Sequence, residues 1–462
     1  MFDASVYIKR RENLKKMVRS GIAVFLGNEE TPMNYPANPF PFRQDSSFLY
    51  FFGLDSPGIA AVFDFDEGQD ILFGDDVDME DIIWMGSKPL LADRAREVGI
   101  DMTFPKNKIN EKIAAAQQKG RLIHYLPPYK PETSLTLMDM MSLSSKEIQG
   151  KSSEELIKAV VELRSIKILD EIQETEKALE TTYDMYIQAM KTAEPNIYER
   201  EIVGKMEGIV LETGCQMAFP TILTINGQIL HNHYHGNRLE NGRLLVIDSG
   251  AESSLHYASD ITRTIPVDGK FTDRQREIYS IVLEAQKTAI ASIKPGIMYK
   301  EIHLLSAKIM AEGLKELGLM KGDTEEAVRS GAHALFFPHG LGHMMGLDVH
   351  DMENLGEDHV GYDETVKRSD QFGLAYLRLA KELKKDYVLT VEPGIYFIPA
   401  LIDKWASENN FSEFIQYNGL EDYRDFGGIR IEDDVLVTEE GSRVLGKEIP
   451  KEIDDIEEIV AA

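Results

Sequence analysis

The chain has 462 residues, of which 43% are hydrophobic and 28% charged, a balance typical of a soluble globular protein. A formal net charge of −28 argues against a nucleic-acid partner, because binding to a phosphate backbone requires clustered Lys and Arg. No apolar stretch approaches the ~18 residues of a membrane span, and the first residues lack the apolar segment of a signal peptide. The single Cys215 excludes an internal disulfide, which is typical of a reducing compartment. We therefore expect a cytoplasmic protein.

A chain of this length is expected to form two domains, because a single hydrophobic core stops growing at about 250–300 residues. The first part mixes helical periodicity with short apolar runs, and a proline-punctuated loop at 34–41 interrupts it. The runs predict strands over 23–27, 47–54, 59–65 and 70–74. We predict an α/β domain that ends at residue 167.

Long amphipathic stretches dominate the rest of the chain and alternate with strand pairs. Their periodicity predicts helices over 168–193, 198–213, 272–293 and 299–317. The second domain, 168–462, is therefore predicted to belong to the α+β class.

Two aspartates mark neighbouring strand ends in this second domain. The buried run LLVID ends in Asp248, and DITRTIPV begins with Asp260, so a hairpin would bring the carboxylates within a few ångströms. Such a pair repels unless a cation neutralises it. The alternative is a pair of exposed aspartates at the end of a hairpin.

Three histidines occur in the glycine-rich segment FPHGLGHMMGLDVHD. They are His339, His343 and His350, and the glycines between them indicate a turn whose backbone approaches another group closely. The segment is not the H-E-x-x-H helix of zinc peptidases, because Gly340 stands where that motif has Glu. A single histidine here would more often be structural, but three together favour a functional site.

Two further strands carry acidic residues. YVLTVEPGIYF delivers Glu392 at a strand end that Pro393 and Gly394 break. In GGIRIEDDVLV, alternation places Arg430, Glu432 and Asp434 on one face, which predicts a partly buried acidic strand. A solvent-facing strand is the alternative.

Four carboxylates and one imidazole, with no thiolate, suit Mn²⁺, Co²⁺ or Fe²⁺ better than a structural zinc. Four negative charges balance two divalent cations, which predicts a two-metal site of the aminopeptidase type. We expect two Mn²⁺ ions, for which Co²⁺, Fe²⁺ or Zn²⁺ can substitute.

The order Asp248, Asp260, His343, Glu392 and Glu432 resembles that of the metal ligands of the pita-bread metallopeptidases, which implies that these five residues bind the ions. HGLGHMMGLDVHD, LTVEPGIYF and GGIRIEDDVLVT resemble the Xaa-Pro branch, aminopeptidase P and prolidase, and FRQDSSFLYFFGLDSPG is similar to the N-terminal domain of the same enzymes. The resemblance implies a C-terminal pita-bread catalytic domain preceded by a smaller creatinase-like α/β domain. The 12 positions from Asp248 to Asp260 are one more than we associate with the family, and we expect the extra residue in the turn.

The resemblance also implies how the ligands share the metals. Asp260 and Glu432 would bridge the two ions, Asp248 would complete one of them, and His343 with Glu392 the other. A hydroxide between the ions, available at neutral pH because metal binding lowers the pKa of water, would attack the scissile carbonyl.

Further roles are implied by the same resemblance. His339 and His350 would contact the substrate and stabilise the tetrahedral oxyanion. His231 would close over the proline side, with His233 and His235 as rivals. Arg430 would orient a carboxylate. Tyr396 would join the substrate-binding set and, with Thr262, fix the orientation of ligands.

The resemblance implies hydrolysis of the bond between an N-terminal residue and a following proline, with small proline-containing peptides as substrates. It also implies that the protein forms a homodimer. Arg378 matches the position that receives the free carboxylate of a dipeptide in prolidases, so the dipeptidase is favoured. Aminopeptidase P, acting on longer peptides, is the alternative. A metal-free binding scaffold on the same fold is a remote one.

Overall fold

The computed structural model describes residues 1–461, and in it the chain forms two compact units. The first consists of Met1–Arg164 with Met352–His359, and the second of Ser165–Asp351 with Val360–Ala462. The predicted division between residues 167 and 168 stays a prediction. Within residues 1–461, no helix is both long and apolar enough to cross a membrane.

The first unit contains one five-stranded sheet and a set of short helices. Its strands lie in the order β4-β3-β2-β1-β5, with β1–β2 and β2–β3 antiparallel and the two outer pairs parallel. The strands are β1 Ile22–Leu26, β2 Ala60–Asp64, β3 Gln69–Phe73, β4 Met102–Phe104 and β5 Ile123–His124. The helices are α1 Ala4–Met17, α2 Ser46–Phe52, α3 Met79–Met85, α4 Leu91–Glu97, α5 Lys108–Gln118, α6 Pro131–Met141, α7 Ser145–Gly150 and α8 Glu154–Ser165.

The predicted strand over 47–54 is wrong, because this segment is helix α2. Asp45 caps its start by accepting a hydrogen bond from the Phe48 N–H, and Gly53 ends it with a φ of 61°. All seven residues of α2 are buried. A helix that is apolar on every side has no amphipathic period, so a short apolar run cannot distinguish it from a buried strand.

The four long helices predicted in the second unit are confirmed, and each observed end lies within one residue of the predicted one. They are α9 Leu169–Thr192, α10 Glu199–Glu212, α11 Asp273–Ser292 and α12 Tyr299–Glu316. The shorter helices of this unit are α13 Thr324–Ser330, α15 Pro399–Ser407 and α16 Ile453–Val460, and its 3₁₀ segments are Ala332–Leu335, Leu374–Tyr376 and Tyr417–Tyr423. The stretch Met352–His359 of the first unit contains the 3₁₀ segment Glu353–Leu355 and most of α14 Glu357–Val360.

Small antiparallel sheets position the predicted acidic ligands of the second unit: Asp248 lies in a strand, and Asp260, Glu392 and Glu432 lie next to strand ends. The sheets are β10-β8-β7, β11-β14-β15, β12-β13 and β6-β9. Their strands are β6 Gln216–Met217, β7 Ile222–Thr224, β8 Leu244–Ser249, β9 Ala251–Glu252, β10 Ile261–Pro266, β11 Val388–Val391, β12 Gly394–Tyr396, β13 Gly428–Arg430, β14 Asp433–Val437 and β15 Ser442–Val444.

The predicted pairing around Asp248 is confirmed, although the connection is not a simple turn. Strands β8 and β10 are antiparallel, and Asp248 lies opposite Thr262. Between them the chain forms β9, which pairs with β6. Asp260 directly precedes β10, so both aspartates lie at the same end of the pair.

Candidate metal centre

A cleft of about 710 Å³ in the second unit collects the predicted functional residues. Its wall also contains apolar side chains, among them Phe219, Leu230 and Val349. Of the residues given a role from the sequence, Thr262, Tyr396 and the rival histidine His235 do not line it. The others do: His231, His233, Asp248, Asp260, His339, His343, His350, Arg378, Glu392, Arg430 and Glu432.

Three of the predicted ligands form a tight group. One oxygen or nitrogen atom from each of Asp260, His343 and Glu432 lies within 4.8 Å of the other two, and all three residues are buried. The Nδ1 of His343 lies 3.1 Å from the Met344 carbonyl, so Nδ1 carries the proton and Nε2 is left to coordinate. That Nε2 is 3.4 Å from Asp260 Oδ2.

The other two predicted ligands lie in the same cleft but outside this group. Asp248 Oδ2 accepts a hydrogen bond from Arg430 Nη2. Glu392 Oε1 lies 3.7 Å from His343 Nε2, and its Oε2 lies 3.7 Å from His339 Nδ1. The five side chains therefore face one space, with Asp248 held on the Arg430 side and Glu392 on the histidine side.

Glu432 occupies a break between two strands rather than the interior of one. Strand β13 ends at Arg430 and β14 begins at Asp433, and Glu432 forms an isolated antiparallel bridge with Thr262. Its N–H donates to the Thr262 carbonyl over 3.0 Å, and Oε2 accepts from Thr262 Oγ1 over 2.7 Å. The segment is wholly buried, which excludes the alternative of a solvent-facing strand.

Arg263 and Asp433, two buried residues that the sequence did not single out, fix the backbone around Glu432 through an ion pair and hydrogen bonds. Arg263 Nη1 donates to the Glu432 carbonyl over 2.6 Å, and its Nη2 binds Asp433 Oδ1 over 2.6 Å. Asp433 Oδ2 also accepts from Gln286 over 2.7 Å. Arg263 follows Thr262 along β10, and only the pairing of distant strands brings it to Glu432.

The glycine-rich segment approaches strand β11, as its composition predicts. The His343 N–H donates to Thr390 Oγ1 over 3.1 Å, and a Cβ added to Gly342 would lie 2.1 Å from the Thr390 carbonyl oxygen. Only glycine fits there. His350 returns to the site at the end of the segment, where its ring centroid lies 4.3 Å from that of His343.

The electrostatics of the site favour a bound cation. Burial raises the pKa of Asp260 well above its ordinary value, and repulsion from Glu432 and Asp248 adds to the rise. Burial also raises the pKa of Glu392 to about 7, although Arg430 opposes the shift. Asp248 Oδ1 and Asp260 Oδ1 are buried without a hydrogen-bond partner. Divalent ions would neutralise these carboxylates and bind the unpartnered oxygens, so the residues fit a metal centre.

The metal-free protein is expected to lose stability as the pH rises. The ordinary pKa of Glu392 is 4.5 and its folded pKa is about 7, so the folded state retains a proton that the unfolded state releases. The stabilisation is complete below about pH 4.5 and is lost as the pH rises from there to about 7. Thermal unfolding with a chelator at about pH 5 and pH 7.5 tests this. Metal-loaded protein should show the opposite trend, because metal competes with protons for the carboxylates.

A row of hydrogen bonds links Asp248 to His339. Arg430 donates from Nη2 to Asp248 and from Nη1 to the Tyr396 hydroxyl over 2.9 Å. That hydroxyl lies 2.9 Å from His339 Nε2, and His339 Nδ1 lies 2.8 Å from the Gly340 carbonyl. The carbonyl fixes the proton on Nδ1, so Tyr396 donates to Nε2. Both ring nitrogens of His339 are therefore engaged within the protein.

The remaining predicted residues lie at different depths. His231 is exposed and His233 lines the same cleft, whereas His235 lies outside it and binds the Leu223 carbonyl through Nδ1 over 3.2 Å. Arg378 is partly buried in the cleft wall and follows the 3₁₀ segment Leu374–Tyr376. Of these three histidines, His231 and His233 therefore line the cleft and His235 does not.

Comparison with known proteins agrees with this organisation. Residues 173–439 match the model of metallopeptidase family M24, and residues 7–124 match that of the aminopeptidase P N-terminal domain. A probable Xaa-Pro aminopeptidase of Phaeosphaeria nodorum is 34% identical over 91% of this chain and 87% of its own length. The human Xaa-Pro dipeptidase is 31% identical over 97% of this chain and 90% of its own length.

A solved structure, zinc-substituted aminopeptidase P of Escherichia coli in complex with product, matches with a TM-score of 0.80 and 28% identity. The match covers 100% of this chain and 98% of that one. The predicted fold class, a C-terminal pita-bread catalytic domain preceded in the chain by a smaller α/β domain, is confirmed. The chain belongs to metallopeptidase family M24.

Proposed function

We propose that this protein is a metal-dependent exopeptidase that hydrolyses the bond between an N-terminal residue and a following proline, with Xaa-Pro dipeptides as its first substrates. The observation that carries the proposal is the cleft in which Asp260, His343 and Glu432 meet and which Arg378 also lines. Asp260, His343 and Glu432 would hold the metal that hydrolysis requires, and the guanidinium of Arg378 would bind the carboxylate of the substrate. The names of the two curated relatives support the preference for proline.

The side chains that would hold the metal ions are Asp248, Asp260, His343, Glu392 and Glu432. Two Mn²⁺ ions are the proposed cofactor, with Co²⁺, Fe²⁺ or Zn²⁺ as substitutes. When bound, the ions would supply a nucleophile at neutral pH by lowering the pKa of water. Burial holds the pKa of His343 well below its usual range, so its imidazole is neutral and available as a ligand.

Other side chains of the cleft would bind and orient the peptide. We assign His350 to the scissile carbonyl, His231 to the proline side, and Arg430 with Tyr396 to the orientation of Asp248 and His339. His339, whose two ring nitrogens bond the Tyr396 hydroxyl and the Gly340 carbonyl, would reach the scissile carbonyl by exchanging the Tyr396 bond for one to the substrate. Burial lowers the pKa of His339 to about 3, with a further contribution from Arg430. His339 is then neutral at physiological pH and acts as a hydrogen-bonding group rather than as a cation.

Aminopeptidase P activity is the second candidate. The matched N-terminal domain carries the name of that enzyme, and the Phaeosphaeria relative is named an Xaa-Pro aminopeptidase. In that case, peptides longer than two residues would extend past Arg378, and this guanidinium would bind a peptide carbonyl instead of a terminal carboxylate.

We also propose a cytoplasmic location, a homodimeric assembly and no nucleic-acid partner. The single Cys215 favours a reducing compartment, and the net charge of −28 opposes binding to a phosphate backbone. The domain division between residues 167 and 168 remains part of this proposal.

The test is release of the N-terminal residue from Ala-Pro, Ala-Pro-Ala and Ala-Ala by Mn²⁺-loaded protein. Cleavage of Ala-Pro alone supports the dipeptidase, and cleavage of Ala-Pro-Ala as well supports the aminopeptidase. Equal cleavage of Ala-Ala would remove the proposed preference for proline.

Replacing Arg378 by methionine is expected to raise the KM for Ala-Pro by about 10- to 100-fold, because a hydrogen-bonded charge pair typically contributes 1.5–3 kcal/mol. The KM for Ala-Pro amide, which has no terminal carboxylate, should change little. Steady-state kinetics on both substrates provide the measurement. Arg368→Met is the matched control, since the Arg368 guanidinium lies over the Tyr362 ring at 4.8 Å. An equal loss on both substrates would contradict the carboxylate role.

A further inference from the structure

A buried ion pair joins Lys167 to Asp351 behind the segment that carries His343 and His350. Lys167 Nζ donates to Asp351 Oδ2 over 3.0 Å, and the two side chains are only 2% and 1% exposed. Taking both charges out of water is costly, and good geometry with additional hydrogen bonds is needed to offset it. Asp351 directly follows His350, so the ion pair can fix the position of the segment that carries the two histidines.

The Asp351 carboxylate fills the inside of the segment from 343 to 351. Its Oδ1 accepts from the Asp348 N–H over 3.4 Å, and its own N–H donates to the Met344 carbonyl over 2.9 Å. A Cβ added to Gly346 would lie 2.6 Å from Asp351 Oδ2, so the backbone packs directly on the carboxylate. The shape of the segment thus depends on where this carboxylate is held.

The start of helix α9 contacts a second segment of the site. Glu171 Oε2 accepts from the Ile168 N–H over 2.9 Å, and Oε1 accepts from the Tyr257 hydroxyl over 2.9 Å. The N–H of Ala258, which shortly precedes Asp260, donates to the Gly346 carbonyl over 2.9 Å. Residues 167–171 therefore hold both the approach to Asp260 and the histidine segment.

We propose that Lys167 and Asp351 are positioning residues of the metal centre. The ion pair fixes the segment 343–351 and, through it, the orientation of the His343 and His350 imidazoles. This inference rests on the proposed role of His343 as a metal ligand. A pair that only stabilised the fold could be replaced by neutral side chains without effect on metal binding, whereas a positioning pair could not.

The test is the double variant Lys167→Met/Asp351→Asn, which leaves no uncompensated buried charge and keeps an acceptor for the Asp348 N–H. We expect its metal-free melting temperature to stay near that of the unmodified protein. Its affinity for Co²⁺, measured by calorimetry, should fall about 10- to 100-fold, and the visible absorption bands of bound Co²⁺ should shift. If the double variant does not fold, Asp351→Asn is measured for the same changes in Co²⁺ affinity and spectrum, and its melting temperature should fall because Lys167 keeps a buried charge.

The matched control is Asp64→Asn, in the first unit. Asp64 is likewise buried and pairs with Lys112 over 2.7 Å and with Arg121. This variant should lose thermal stability and keep the Co²⁺ affinity and spectrum of the unmodified protein. Unchanged Co²⁺ affinity and spectrum in the Lys167/Asp351 variants would overturn the positioning role. Failure of the unmodified protein to bind Co²⁺ would instead overturn the proposed metal centre on which that role rests.

Discussion

Replacing Glu432 by glutamine is expected to lower kcat/KM for Ala-Pro at least about 10³-fold, because loss of metal-assisted charge stabilisation costs several kcal/mol and each 1.36 kcal/mol is a factor of ten. Glutamine keeps the size of the side chain and can still accept from Thr262 Oγ1, which lies 2.7 Å from Oε2. It removes one of the two carboxylate oxygens that would hold the metal. Retention of a tenth of the activity would contradict the role of Glu432 as a metal ligand.

The same substitution should not lower the melting temperature of the metal-free protein, although it lowers the activity of the metal-loaded one. Burial, with repulsion from Glu392 and Asp248, raises the pKa of Glu432 well above its ordinary value, so the uncharged glutamine relieves an unfavourable charge. We expect the chelator-treated variant to melt no lower than the unmodified protein, while the rise in melting temperature on adding Mn²⁺ is largely lost. Differential scanning fluorimetry with and without Mn²⁺ measures both.

Glu199→Gln is the matched control for a buried glutamate. Glu199 is fully buried and accepts from the Ile225 N–H over 2.9 Å and from Asn237 Nδ2 over 3.0 Å. Its replacement should lower the melting temperature and leave the increase on adding Mn²⁺ intact. A similar loss of the Mn²⁺ effect in both variants would indicate general destabilisation instead of a lost ligand.

Replacing His339 by alanine is expected to lower kcat for Ala-Pro by about 10²- to 10³-fold with the metal content unchanged. His339 ends the hydrogen-bonded row through Arg430 and Tyr396, and its Nδ1 lies 3.7 Å from Glu392 Oε2. The variant leaves the Tyr396 hydroxyl without its acceptor at the wall of the cleft. Rapid-quench kinetics with metal analysis of the same samples provide the measurement.

The control for this variant is His235→Ala, because His235 binds the Leu223 carbonyl and lies outside the cleft. It should retain nearly full activity. The lowered pKa of His339, about 3, further predicts that the imidazole does not titrate in the pH profile of the unmodified enzyme between about pH 5 and 9. Loss of metal from His339→Ala would contradict a role confined to the substrate side.

Much of the second unit could be predicted from sequence because its signals are local. Helices such as Leu169–Thr192 have an amphipathic period over many turns, and their predicted ends are within one residue of the observed ones. Strand β8 and the start of β10 were likewise recognisable from apolar runs that end or begin with aspartate. The helix Ser46–Phe52 was wrongly predicted as a strand, because a short helix that is buried on all sides has no amphipathic period to detect.

The supporting contacts of the site could not be predicted, because they join residues far apart in the chain. Arg263 reaches Asp433, and Lys167 reaches Asp351, only after strands and segments have packed. No spacing rule connects such pairs. The engagement of both nitrogens of His339 is also a property of the folded structure, although Gly342 in the same segment did predict a close backbone approach.

The most direct test of the account is a titration of chelator-stripped protein with Mn²⁺ while cleavage of Ala-Pro is followed. We predict that activity is absent without metal and reaches its plateau as about two equivalents of Mn²⁺ bind per chain. Cleavage of Ala-Pro that persists without metal, or no cleavage after two ions have bound, would contradict the central claim that this cleft is the centre of a metal-dependent Xaa-Pro peptidase.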